Sequence, residues 1–483
     1  MNLPVVQRIF GLLLMLFSLT MLPPMAVGLY YQDGNWQPFL DAFVALAILG
    51  ALLWWPVRSH QRELRLRDGF LVVALFWIVL GGAGAAPLLL STRLDMTVTD
   101  AIFEAVSGFT TTGAIIFPRL EVLPISVLYY RSQIEWLGGI GIVVLAVALL
   151  PMLGVGGMQL LRAETPGPVK DSKLTPRITE TAKALWLIYL AITVACALAY
   201  WAAGMSLFDA IAHSFSTVST GGNSTRDESL AYFNDPVIEL VAVAFMFIGA
   251  VNFSLHFLAW RSRRVSNYFR DPEFRAYLRI LVSTIIAYTL VLWLTRFVHE
   301  PGNALRLALF HAVSMQTTSG FVTTDITHWP GALPVILILS AFVGGCAGST
   351  SGGMKMVRWL LLWKQGQREV SQLVHPNAEL PVKLGAKAID KRVIDAVWGF
   401  FAVYVVSFGV LMVAMLATGE DQVTAFSAIA ACMTNAGTGL ADVATNFTSL
   451  TNTGKWICVL AMLLGRLEVF PLLVLVSRTF WRK

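Results

Sequence analysis

Phe109-Thr110-Thr111-Thr112-Gly113-Ala114 decides the fold, because its pattern recurs three more times along the chain. Counting outward from Gly113, the matching glycines are Gly222, Gly320 and Gly437. Two residues before each stands Thr111, Thr220, Thr318 or Asn435. One before stands a small residue: Thr112, Gly221, Ser319 or Ala436. Six before are Ser107, Ser216, Ser314 and Ala431, and eleven before are the apolar Ile102, Ile211, Leu309 and Phe426. Each stretch follows one long apolar segment and precedes another. Helix, short helix, small-residue loop and helix, four times over, describe a pore whose four walls come from a single chain.

Composition sets the solvent. Of 483 residues, 56% are hydrophobic and 13% charged, roughly half the charge of a soluble chain of that length. Mean hydropathy is +0.68, and several apolar runs reach the ~20 residues that cross a bilayer core. These runs are continuous rather than alternating, which excludes a β-barrel and leaves an all-α polytopic membrane protein. The first run, 9–29, resembles a signal sequence, but it is long, lacks a small-x-small cleavage site and precedes many more spans, so it reads as a retained helix.

The +6 net charge is best read by location. Lys and Arg concentrate in 58–67, 162–183, 261–279, 364–392 and the tail residues Arg478, Arg482 and Lys483. The intervening loops hold Asp33, Asp95, Asp100, Asp227, Glu228, Asp235, Asp325, Glu420 and Asp421. The positive-inside rule places the basic loops and both termini in the cytoplasm. The glycine loops then end on the outside, where acidic residues concentrate cations. Each basic cluster lies at a membrane edge, so it reads as topology and lipid anchoring, with no nucleic-acid partner. Cys196, Cys346, Cys432 and Cys458 are scattered and mostly apolar in context, which suits packing rather than a disulfide frame or metal site.

In chain order, an N-terminal transmembrane helix pair and basic loop occupy 1–69, with Pro23-Pro24 expected to kink the first helix. Pore repeats follow at 70–160, 184–262, 278–363 and 393–483, separated by cytoplasmic linkers 161–183, 263–277 and 364–392. The last linker is a candidate docking surface. Within each repeat a segment too short to span (98–109, 207–217, 304–316 and 423–433) dips part-way in, and its loop climbs back out.

A short helix whose C-terminus points at the membrane centre brings its negative dipole end toward a cation. Non-helical backbone at that depth survives only when buried in protein or lining water. Four converging loops offer rings of carbonyl oxygens that replace a cation's hydration shell, and glycine permits the positive φ that turns neighbouring carbonyls to one axis. The Thr111, Thr220 and Thr318 hydroxyls are expected to add a ring at the inner mouth, with Asn435 substituting through its amide oxygen. One such loop alone would read as helix-packing residues; four in register do not.

Taken together, these loops, Gly344-Gly345-Cys346-Ala347-Gly348-Ser349-Thr350-Ser351-Gly352-Gly353-Met354-Lys355 and Leu464-Gly465-Arg466-Leu467-Glu468 resemble the TrkH/TrkG/KtrB potassium-uptake subunits over essentially the whole chain. The N-terminal helix pair favours the TrkH/TrkG branch. The resemblance implies pseudo-fourfold repeats around one potassium pathway, a homodimer in a bacterial inner membrane, and a TrkA-like cytoplasmic regulatory partner that binds nucleotide. Asn435 departs from the family's Thr, and Thr438 stands where Pro is common. Each loop carries one family glycine rather than Thr-Val-Gly-Tyr-Gly, so fewer ordered ion sites and weaker discrimination are expected than in dedicated potassium channels.

Two features read as a gate. Gly344, Gly345, Gly348, Ser349, Gly352 and Gly353 interrupt the third repeat's second span with poor helix formers, and the break is expected to fold into the pore below the loops. Arg466 lies mid-span, where a charge costs ~2.5–3.5 kcal/mol on insertion scales. Facing the pore it would repel cations; the alternative is a structural arginine satisfied by carbonyls or by Glu135. Glu468, two residues away, points elsewhere on a helix. His213, His256 and His311 read as satisfied interior side chains rather than metal ligands.

Other classes fit less well. No span carries arginine at every third position, no protease constellation occurs, and no Walker A or strand-bound Gly-x-Gly-x-x-Gly is present. The chain is therefore read as a non-enzyme that binds no nucleotide itself, its only small ligand being potassium. Asn223-Ser224-Thr225 matches a glycosylation sequon by accident of composition. The alternatives are a K+/H+ or K+/Na+ symporter, a sodium-permissive relative, and a membrane sensor or enzyme using the pore-like core as scaffold. Coupled transporters more often show inverted repeats, whereas these repeats run in one sense.

Overall fold

A computed structural model describes residues 2–60, 66–144, 178–378, 380–385 and 387–481. Most of the basic segment 162–183, part of the loop 58–67, residues 145–160 of the first repeat, and Arg482 and Lys483 lie outside the described residues.

The architecture is all-α, with four repeats of outer helix, pore helix, loop and inner helix around one axis. The N-terminal pair comprises Leu3–Ser18 and Leu22–Tyr31, joined by a 3-10 turn at Leu19–Met21, and the return helix Gln37–Trp54. The turn precedes Pro23-Pro24, the expected kink. A Cβ placed on Gly11 would lie 2.7 Å from the Gly50 carbonyl oxygen, so these helices touch backbone to backbone, the small-residue packing that membranes favour.

The outer helices are Leu66–Ala83 (continued by Ala86–Leu90), Ile178–Ala202, Pro272–Leu294 and Lys391–Leu416. The pore helices are Val98–Phe109, Leu207–Val218, Pro301–Gln316 and Gln422–Thr434. By length and composition, six helices of the described residues can cross a membrane: the N-terminal pair and the four outer helices. Buried apolar side chains form two large cores. One joins the N-terminal pair to repeats 1 and 4; the other is mainly repeats 2 and 3.

The inner helices differ from the reading of unbroken spans in repeats 2 and 4. The first, Ile125–Val144, is continuous as far as it is described. The second breaks between Pro236–Gly249 and Phe253–Ser262 with a 94° bend. The third breaks between Leu333–Val343 and Met356–Val374, as its glycines predict, and the fourth between Asn452–Arg466 and Phe470–Val476. The breaks in repeats 2 and 4 fall at Ala250-Val251-Asn252 and Leu467-Glu468-Val469; Gly249 and the N-cap Asn252 flank the first, and Gly465 and Pro471 flank the second. Repeats 2 and 3 satisfy each other's freed backbone. Cys346 N donates to Ala250 O (2.8 Å), Thr350 N to Gly249 O (3.3 Å) and Phe253 N to Gly348 O (3.1 Å). Unpaired backbone in hydrocarbon costs several kcal/mol per group, so the two breaks stand because they meet. The linker 364–392 begins as helix and ends in a short ribbon pairing Lys383–Leu384 with Lys387–Ala388.

Candidate functional site

Side-chain caps start three of the pore helices. Thr97 accepts from Asp100 N (3.2 Å), Ser206 from Asp209 N (3.0 Å) and Asp421 from Val423 N (2.9 Å); the third begins at Pro301. All four end in one hydrogen-bond pattern. The amides of Thr112, Gly221, Ser319 and Ala436 donate back to the carbonyls of Ser107, Ser216, Ser314 and Ala431 at 2.8–2.9 Å. The amides of Thr111, Thr220, Thr318 and Asn435 donate three residues back, at 2.9–3.2 Å. This is a Schellman motif, which needs a left-handed residue at its turn, usually Gly. Here φ is 51° at Thr111, 53° at Thr220, 57° at Thr318 and 55° at Asn435. A β-branched residue is unusual there, whereas Asn tolerates it, so Asn435 is the least strained of the four.

Two residues on, φ is positive again at Gly113 (74°), Gly222 (84°), Gly320 (75°) and Gly437 (69°). A Cβ on Gly113 would lie 1.9 Å from Gly221 O, and one on Gly222 would lie 1.9 Å from Ser319 O. On Gly320 it would lie 2.1 Å from Ala436 O, and on Gly437 2.2 Å from Thr112 O. Each glycine therefore presses on the next repeat's loop, in the order 1, 2, 3, 4 and back to 1. The ring closes through eight of the twelve sequence-selected loop residues, and Thr111, Thr220, Thr318 and Asn435 directly precede them in the same loops. Behind it, Gly138, Gly249 and Gly465 of the inner helices seat against the carbonyls of Phe109, Val218 and Met433.

The hydroxyls depart from the expected open ring of ligands. Arg466 Nη2 hydrogen-bonds Thr111 Oγ1, Thr220 Oγ1 lies 3.2 Å from Thr350 Oγ1, and Thr318 Oγ1 accepts from Gly352 N at 2.6 Å. Asn435 Nδ2 donates to Thr112 Oγ1 (2.9 Å) and Met462 O (3.1 Å). Loops 2 and 3 are thus tied directly to the segment 344–355, and loop 1 through Arg466.

That segment holds every glycine and serine singled out as a gate. Gly344, Gly348 and Gly353 have φ of 69°, 70° and 69°. Gly345 O accepts from Met356 N (2.9 Å), Ser349 Oγ donates to Cys346 O (2.6 Å) and Gly353 N donates to Thr434 O (2.9 Å). Thr350, not among the residues singled out as a gate, is its hub: Oγ1 lies 3.0 Å from both Val218 O and Gly249 O, and its carbonyl accepts from Arg466 Nη2 at 3.0 Å. Both ends of the segment are held by Glu273, whose Oε1 accepts from Ala347 N (2.7 Å) and Val357 N (3.2 Å).

Arg466 is buried, with hydroxyl and carbonyl partners. Glu468 pairs instead with Arg358 at 2.5 Å, and Glu135 accepts from Asn223 N at 3.3 Å. His213 donates Nδ1–H to Asp209 O (2.8 Å) and accepts at Nε2 from Ser224 Oγ (3.0 Å). His311 donates to Leu307 O (3.0 Å) and accepts from Thr323 N (3.4 Å). His256 contacts Tyr268 Oη (2.8 Å) and Ile248 O (3.0 Å). Each imidazole is a hydrogen-bonded interior group.

On the opposite side of the ring from 344–355, a cavity of about 330 Å³ is lined by all four glycines and by Arg226, Asp227, Glu228 and Asp325. Burial works to raise the Asp325 pKa, but hydrogen bonds from Thr327 and His328 and the nearby His328 charge outweigh it and hold the carboxyl below the usual range. The cavity thus keeps negative charge above the ring at neutral pH.

The fold and site define a polytopic membrane protein whose four same-sense repeats close one ring of backbone at membrane depth. Residues 35–483 match the family model TrkH, described as a cation transport protein. Relatives include the Trk system potassium uptake protein TrkH of Halomonas elongata, 54% identical with both chains fully covered. That of Vibrio parahaemolyticus is 53% identical over 98% of each chain, and TrkG of Escherichia coli is 42% identical over 99% of this chain and 98% of its own. The crystal structure of the potassium transporter TrkH from Vibrio parahaemolyticus superposes with a TM-score of 0.93 at 50% identity, covering 100% of each chain. The chain belongs to the TrkH family.

Proposed function

We propose that this chain is the potassium-translocating subunit of a Trk-type uptake system in a bacterial inner membrane, working as a channel-like pore. The closed ring of glycine–carbonyl contacts carries the reading. Four helix C-termini aim their negative ends at one axis, and a cation reaching the ring exchanges water for carbonyl oxygens. Thr111, Thr112, Gly113, Thr220, Gly221, Gly222, Thr318, Ser319, Gly320, Asn435, Ala436 and Gly437 form the selectivity filter. The relatives' name, potassium uptake protein, supports potassium as the ion. Positive charge in the basic loops supports cytoplasmic termini and an outward-facing acidic cavity.

The gate is Gly344, Gly345, Gly348, Ser349, Gly352 and Gly353 with Arg466. The segment blocks the inner mouth sterically. Arg466 adds repulsion: two unit charges ~4 Å apart at an effective dielectric of ~20 repel by ~4 kcal/mol, about three decades in occupancy. Opening requires the segment to leave Thr350's partners and take Arg466's carbonyl ligand with it. A cytoplasmic nucleotide-binding subunit acting on the linkers supplies that work, and the protein functions as a homodimer. The repeat boundaries 70–160, 184–262, 278–363 and 393–483 belong to the same proposal.

Radioactive rubidium uptake into liposomes holding this chain tests it, with and without a sodium or pH gradient. Passive uptake driven by the rubidium gradient and blocked by excess potassium is expected. Uptake only with a second ion gradient would move the assignment to a symporter. No uptake even with the regulator added would sink the transport reading.

A further inference from the structure

We propose that Arg131 is a positioning residue for selectivity, a role that rests on reading the glycine loops as the filter. It sits on the inner helix of repeat 1 and is 2% exposed. Its Nε donates to Glu104 Oε1 at 2.5 Å. Glu104, nine residues before Gly113, also accepts from Ile116 N at 3.0 Å, three residues past that glycine. The other side of the guanidinium serves the neighbouring repeat. Nη2 donates to Asn223 Oδ1 (3.0 Å) and Nη1 to Ser224 O (3.4 Å), one and two residues past Gly222. Asn223 returns the contact, Nδ2 donating to Arg131 O at 3.3 Å. One planar fork therefore holds the outer limbs of loops 1 and 2 as a unit.

The same positions elsewhere are built differently. Nine residues before the other glycines stand His213, His311 and Ala428. His311 braces Thr323 within its own repeat, and where Ala428 has no polar group, Ser427 Oγ accepts from Leu440 N at 3.0 Å. Loops 3 and 4 are joined by one neutral bond, Thr438 Oγ1 to Gly320 O at 2.7 Å. A buried Arg–Glu pair loses several kcal/mol per ion on desolvation and is weak evidence of stabilisation; its best-attested use is to fix one geometry among several. The geometry fixed here is the separation of two filter walls. A potassium-sized ring whose walls can approach one another would ligate the smaller sodium ion.

The experiment compares sodium and rubidium uptake in liposomes holding the full chain with any regulator needed for flux. Arg131→Lys keeps the charge beside Glu104 but loses the fork. The sodium-to-rubidium ratio is expected to rise about tenfold at unchanged monodispersity in detergent. An unchanged ratio, or an equal loss of both fluxes by folded protein, overturns the proposal. If Arg131→Lys does not fold, Asn223→Ala removes one acceptor and leaves the Glu104 pair; a ratio about threefold higher supports the role, and an unaltered one overturns it. A wild-type chain that passes both ions alike overturns the filter reading itself, and the inference with it.

Discussion

The glycine ring and the segment 344–355 are both non-helical backbone set among the spanning helices, and they are held in opposite ways. The turns of the ring are locally made. Each loop hangs from its own pore helix by two backbone bonds spanning three to five residues, and neighbours meet by shape and by a few side-chain bonds from Arg131, Asn435 and Thr438. The segment is held largely from elsewhere, by carbonyls of Val218, Gly249 and Thr434, the Thr318 hydroxyl, the Glu273 carboxylate and the Arg466 guanidinium. A net hydrogen bond is worth ~0.5–1.5 kcal/mol, so each tie is modest and separable. Turns secured within each repeat suit the selecting role proposed for the ring, and separable ties suit the switching role proposed for the segment.

The contrast can be broken from the ring side first. Gly113→Ser or Gly320→Ser drives a side chain into a carbonyl at 1.9 or 2.1 Å, with φ positive. Both should lose potassium-over-sodium selectivity, at least about tenfold in relative uptake; unchanged relative uptake in both would count against a filter. From the switch side, Arg466→Ala removes the buried charge and its ties to Thr111 and Thr350. Basal rubidium flux without a regulator should rise about tenfold with selectivity kept, and equal or lower flux at matched protein would make the residue structural. Thr350→Val keeps shape but removes the hydroxyl shared by Val218 and Gly249. A roughly threefold rise in basal flux is expected, and none would show that the hydroxyl does not hold the closed state. The smallest effect sharpens the account of the turns. Asn435→Thr puts a β-branched residue at φ 55° and removes two bonds. It should lower Tm by a few degrees, in keeping with ~1–3 kcal/mol for such strain; an unchanged Tm would refute the turn argument.

Legibility followed the same divide. The membrane class, the four repeats and the ring residues were readable because they rest on local rules: apolar length, and small residues recurring at a fixed offset from Gly113, Gly222, Gly320 and Gly437. The break at 344–353 was readable from its glycines, and the lone charge at Arg466 from its setting. The 94° bend after Gly249 was not read: a lone Gly249 and the N-cap Asn252 are weak signals inside an apolar run, and the bend is stabilised by Cys346 and Thr350 from another repeat. Nor was the fate of the threonine hydroxyls, which the sequence assigns to an ion and the structure gives to Arg466, Thr350 and Gly352. By itself, then, the sequence determined which backbone can line a pore, because that is a property of residue types at short spacing. Which side chains hold the ring's walls and the segment beneath it was decided by tertiary structure alone: Arg131 reaches Asn223 across 92 residues and Arg466 reaches Thr350 across 116, and hydrogen bonds over such separations leave no period in the chain.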